Sequence, residues 1–328
     1  MSEIIGRQLE VGVGIEETRG TKASNSSWIK NITANVVEKA EHVQDESSRG
    51  VFEDMDGRRV VKKHIEGDIE MNLYANTLGY LAYNIYGGVV STLVSGTVYS
   101  HVFNLEQSSL APSLSIFAKD GSVQQLAFKN CHVGTLELSA TVDEYAKLTA
   151  TFMGEDGEDD TTTPTYSTDY DFIGRDISVK IADTQTGLAT AETYCIKEVN
   201  ITWDKGLIVD YCLGSYTPGD IYTSKAGIEG SFTKNFEDET FKDLFLGNDA
   251  KYMEIKIEGE TAITGSYKPT ITLLLNKVMI SNWERSGGKD ELVVEDIEFK
   301  AFYNDTDKKA SQLTIQNTVE EYEIEVSA

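Results

Sequence analysis

The sequence predicts a mainly β protein, built as two tandem β-rich domains, each with one flanking α-helix, plus extended arms and loops. Three observations predict it. A stretch beginning at Ile65 recurs at Ile228. Short alternating apolar segments, punctuated by Gly, Asn and Asp, fill most of the remaining chain. The length, 328 residues, suits two domains of about 150 residues, each able to bury a core.

The repeat is ungapped. Ile65-Glu66-Gly67, Asn72, Thr77 and Leu81 recur as Ile228-Glu229-Gly230, Asn235, Thr240 and Leu244, while Leu73 and Leu78 become Phe236 and Phe241. A constant offset near half the chain length points to one supersecondary unit used twice. Each copy reads as a strand followed by a capped helix. Gly67 and Gly230 sit inside strand-like runs, where glycine marks a bulge or a close backbone approach. Asn72 or Thr77, and Asn235 or Thr240, are the expected N-caps. Leu78, Leu81, Ala82 and Ile85 form a helical stripe that Phe241, Leu244 and Phe245 begin to repeat. Gly87-Gly88 and Gly247 are the expected helix ends.

In chain order, residues 1–27 read as an extended arm, with a short alternation at Val11, Val13 and Ile15 before Glu16. The first domain is expected over 28–153, with a long exposed hairpin over 42–60 turning at Asp56-Gly57. Strands are expected at Val98–Leu105, Leu114–Ala118, Ser122–Phe128, Leu136–Val142 and Leu148–Met153. Residues 154–175 are an acidic linker or loop. Its carboxylates lack the ordered ligand spacing of a calcium loop. The second domain is expected over 176–303, with a hairpin turning at Asp204-Lys205-Gly206, a strand at Met253–Ile257 and another at Ile271–Leu275. Residues 304–328 form a C-terminal strand or arm.

Composition excludes several functions. The chain carries 29 Lys and Arg against 54 Asp and Glu, a net charge of −25, so it lacks the basic footprint of a nucleic-acid binder. No apolar run approaches the ~20 residues of a transmembrane helix, and the first residues have no signal-peptide core, so no membrane association is expected. Cys131, Cys195 and Cys212 have no metal-ligand spacing and read as core residues of a protein made in a reducing cytoplasm. His42, His64, His101 and His132 form no HExxH motif, and no Walker or GxSxG motif occurs. Glu66 and Glu229 could serve as the carboxylate pair of a glycosidase, but duplication of a structural Glu explains them more simply. No catalytic residue, cofactor or metal is therefore expected.

Several stretches together resemble the major tail tube proteins of long-tailed bacteriophages. They are Gly6 with Val11-Gly12-Val13-Gly14-Ile15-Glu16 and Arg19-Gly20-Thr21; the Ile-Glu-Gly plus helix unit; and Leu273–Ile280, Trp283, Gly287-Gly288, Ile297–Ala301 and Leu313–Asn317. The resemblance implies that the two tandem domains are tube-like β-sandwich or barrel folds in a structural virion protein. Such proteins form rings of six tube folds that stack into a hollow cylinder for the genome. A duplicated chain would need three copies per ring, or six if one half is decoration. Partners would be other copies, other tail proteins at the tube ends, and viral DNA passing without specific binding. The repeat residues would be structural, and Val11, Val13, Ile15 and Glu16 would lie in an arm locking one ring to the next. The alternative reading is a β-sandwich decoration or carbohydrate-binding module of the virion.

Overall fold

The computed structural model describes residues 3–48, 50–53 and 57–322. The chain is mainly β. The first half holds β1 (Leu9–Ile15), β2 (Ser27–Ile29), β3 (Asn31–Asp45), β4 (Gly57–Asn72), α1 (Ala75–Tyr86), β5 (Gly87–Ser95), β6 (Val98–Leu105), β7 (Leu114–Asp120), β8 (Gln124–Thr141), β9 (Lys147–Gly154) and β10 (Asp156–Asp159). The second holds β11 (Ile177–Ala182), β12 (Ile196–Asp210), β13 (Asp220–Asn235), α2 (Thr240–Gly247), β14 (Lys251–Glu258), β15 (Thr270–Ser286), β16 (Val294–Ala301) and β17 (Ser311–Asn317).

The long strands form a band in the order β3-β4-β9-β8-β12-β13-β16-β15, antiparallel throughout. Among the described residues the sheet does not close on itself. Two ladders cross between the halves: β8 pairs with β12, and β6 pairs with β17. One hydrophobic cluster accordingly contains Ile65 and Leu78 together with Ile201, Phe232 and Phe299. Alternation builds this core. In β4, Ile65, Ile69 and Met71 are buried while the carboxylates between them are not, as a pleated strand with one covered face requires.

Both helices form where the repeat places them, and Leu78, Leu81, Phe241 and Leu244 are buried. Their caps differ from expectation. The N-cap position of α1 is Tyr74, whose side chain makes no capping bond. The first-turn amides of Asn76 and Thr77 instead donate to the Asp169 carboxylate, at 2.8 and 3.2 Å. A residue of the 154–175 segment thus satisfies the helix N-terminus. In α2 the Thr240 amide donates to Asp238 Oδ1 at 2.8 Å, and Asn235 does not cap. Gly87 ends α1 with a φ of 85°, whereas Gly247 is the last helical residue and Asn248 takes the left-handed position, at a φ of 55°.

Three further expectations are corrected. Val11, Val13, Ile15 and Glu16 do not form an exposed arm. Pairing with β2 and β7 draws β1 into the sheet and buries all four. Asp204-Lys205-Gly206 is not a turn: β12 runs through it, and the register shift after Gly206 is a bulge on the facing strand, where Ser224 of β13 is the extra residue. Of the cysteines only Cys131 is in the core; Cys195 and Cys212 are exposed. The Asp56-Gly57 turn falls partly outside the described residues.

Candidate assembly surface

The two glycines of the repeat occupy the same environment. A Cβ on Gly67 would lie 2.0 Å from the Asn35 carbonyl oxygen, and one on Gly230 2.4 Å from that of Asn200. Glycine is required at both because a neighbouring backbone passes where a side chain would start. Strand pairing repeats with them. The ladders β1–β7, β3–β4, β4–β9, β7–β8, β8–β9 and β8–β10 have counterparts in β11–β14, β12–β13, β13–β16, β14–β15, β15–β16 and β15–β17. The 3₁₀ turns Gly6–Gln8 and Gly174–Asp176 precede the first strand of each set. A short signal for this start was present in the sequence, since Ile5-Gly6-Arg7 recurs as Ile173-Gly174-Arg175.

The face of the band opposite the core is acidic. Glu66, Asp68 and Glu70 of β4, Glu137 of β8, Glu198 and Asp204 of β12, Glu229 of β13, Glu284 of β15, and Asp296 and Glu298 of β16 alternate with the buried positions of their strands. The amines on the same face are fewer, among them Lys39, Lys62, Lys147, Lys225 and Lys300. Lys39 lies 3.4 Å from Glu66, and Lys300 lies 2.9 Å from Glu229. The two repeated glutamates therefore face solvent, each beside a lysine of an adjacent strand. Asn72 ends β4 opposite Lys147, Ile228 is half-buried, and the Asn235 side-chain oxygen is buried without a hydrogen-bond partner.

Polar groups join the halves beneath this surface. Arg19 donates to Asp220 at 2.6 Å and to the carbonyl of Ile221. Glu16 accepts from Ser113, Ser115 and the amides of Gly20 and Asn130; burial raises its pKa, and these donors oppose the rise. Lys205 of β12 is buried and donates to the Asn84 carbonyl in the last turn of α1, where a helix leaves carbonyls in need of donors. Burial, then the nearby Arg19, pushes its pKa down to about 7. His132 is held well below its usual range by burial, Arg19 and Lys205, and bonds Asn130 and Asn84. In the second half Lys234 and Glu295 form a buried pair at 3.1 Å. Periodicity gave no sign of these contacts, because their members lie far apart in sequence and look like ordinary surface residues. Among the described residues no cluster of His, Cys, Asp or Glu could hold a metal.

Among the described residues the band is open, antiparallel and acidic on one face. The sequence profile described as "Phage tail tube protein" matches residues 6–301. The chain belongs to the phage tail tube protein family, whose members are components of the virion tail. A search of curated proteins gave no match. No helix among the described residues is long and apolar enough to cross a membrane.

Proposed function

We propose that this chain assembles into stacked rings forming the hollow tail tube through which the genome is delivered. Each chain supplies two tube-like units. The strand correspondence starts them at the turns Gly6–Gln8 and Gly174–Asp176 and ends them with β10 and β17. Three chains then complete a ring of six units, and six chains is the alternative. The observation that carries the reading is the acidic face, which spans every strand pair from β4 to β16 and stops at open edges. Turned inward, it lines the bore. Basic groups there would pair with DNA phosphates and hold them, whereas carboxylates repel a polyanion and leave it mobile. Negative-stain microscopy of the purified protein, with native mass spectrometry of released rings, tests this. Hollow cylinders and three chains per ring are expected. A dispersed monomer over a wide range of concentration and salt would sink the proposal.

A further inference from the structure

The chain contains a worked example of how it joins its neighbour: the β8–β12 ladder, which links the halves covalently connected in one chain. Its counterparts are left open. Among the described residues β3 pairs along its length only with β4, and residues 280–286 of β15 pair only with β16. Exposed strand edges of this length are a liability unless something covers them. We propose that β3 of one chain pairs antiparallel with this half of β15 in the next copy, in the register of the β8–β12 ladder. The inference rests on the ring reading and specifies its contact.

The register follows residue by residue. Val36 lies opposite Gly67 and Ile201 opposite Gly230, so Val37 corresponds to Thr202. Phe152 and Phe299 lie opposite the same two glycines, and opposite those phenylalanines lie Val133 and Ile280. Each strand then shifts by one residue, between Val133 and Thr135 and between Ile280 and Asn282. A bulge at the same step in both copies fixes the alignment, so Glu137 corresponds to Glu284. In the intact ladder Thr202 lies opposite Glu137. The equivalent contact sets Val37 opposite Glu284 of the next copy, Lys39 opposite Asn282 and Val36 opposite Arg285. It also continues the acidic face without a break, because Val37 and Glu284 stand on that face in their own chains.

Cysteine cross-linking tests the register. In a C195S/C212S background, V37C and E284C chains are prepared separately, diluted into chains with only the background changes so that assembly is preserved, and oxidised after ring formation. A disulfide-linked dimer requiring both variants is expected. V37C combined with S286C or N282C should give at least tenfold less. T202C/E137C in one chain is the positive control for the same geometry. Rings that form and cross-link through T202C/E137C, yet yield no V37C–E284C dimer or more dimer from a shifted pair, overturn the register and leave the tube reading standing. Failure to form rings at any concentration removes both. Equal cross-linking in dispersed chains also overturns the proposal, because the contact would then not belong to the ring.

Discussion

Lys205→Met isolates the pH dependence that the buried amine imposes on folding. The amine titrates near 7 in the folded chain against an ordinary 10.5. Between these values the unfolded chain holds the proton that the folded chain releases, so stability rises with pH across the window. A depression of this size corresponds to ~5 kcal/mol over the whole window at 1.36 kcal/mol per unit, and ~2 kcal/mol of it falls between pH 7 and 9. Met keeps the stem and does not titrate. It also leaves the Asn84 carbonyl without its donor, a cost of about 1–3 kcal/mol that does not vary with pH. The assay is urea unfolding of dispersed chains at pH 7, 8 and 9, since assembly would make the midpoint depend on concentration. The wild type should gain ~2 kcal/mol more than the variant between pH 7 and 9. Equal slopes would refute the assignment of a neutral, buried amine to Lys205.

Four other single substitutions and one double variant test the packing beneath the assembly surface. Gly67→Ala and Gly230→Ala should each cost about 1–3 kcal/mol in chemical denaturation, with Gly67 the more sensitive because its Cβ would meet the Asn35 carbonyl more closely; an unchanged midpoint for either would remove the close-approach argument. Asp169→Ala should cost about 1–2 kcal/mol and speed hydrogen exchange at the first turn of α1, and exchange unchanged at Asn76 and Thr77 would contradict its capping role. Glu295→Gln should destabilise by about 3–5 kcal/mol, while Lys234→Met with Glu295→Met should recover most of that loss; a double variant no better than the single would refute the buried pair.

The repeat, the alternating strands and the helical stripes were legible because they are periodic and local. Leu78, Leu81, Phe241 and Leu244 are buried where the 3.6-residue spacing puts them, and β6 spans Val98–Leu105 as its alternation suggests. Misreadings arose where a local signal had a distant cause. Asp204-Lys205-Gly206 has turn composition, yet Gly206 pairs with Lys225 beside a bulge of β13, and Lys205 serves a helix end contributed by the first half. Residues 1–27 look polar and loose, but β1 finds β7 about a hundred residues away. The cap of α1 comes from Asp169, which no search near the helix would reach. The acidic face was hidden for a similar reason. Net charge is visible in composition, but its concentration on one surface depends on the register of eight strands.

The intrachain ladder and its proposed intermolecular counterpart differ in chemistry, and we attribute the difference to protection of an edge that waits for another copy. In β8–β12 the core-side pairs are Trp203 with Leu136 and Ile201 with Leu138, all buried. The equivalent pairs between chains are Glu38 with Trp283 and Val36 with Arg285. The first ladder lies within one chain and is covered in the folded state. The second must wait for another copy, and charge on an exposed edge disfavours premature or misregistered pairing. Glu38 meanwhile lies 3.1 Å from Lys63, and Arg285 stacks 5.2 Å over Phe236, so both are occupied within the dispersed chain. Glu38→Leu with Arg285→Leu should therefore convert the edges to the apolar character of the β8–β12 ladder. Dispersed chains of this variant should scatter light and sediment as irregular aggregates at concentrations where the wild type remains monomeric. If they stay monomeric and form normal tubes, edge protection is not what these two charges provide, and the contrast between the ladders needs another cause.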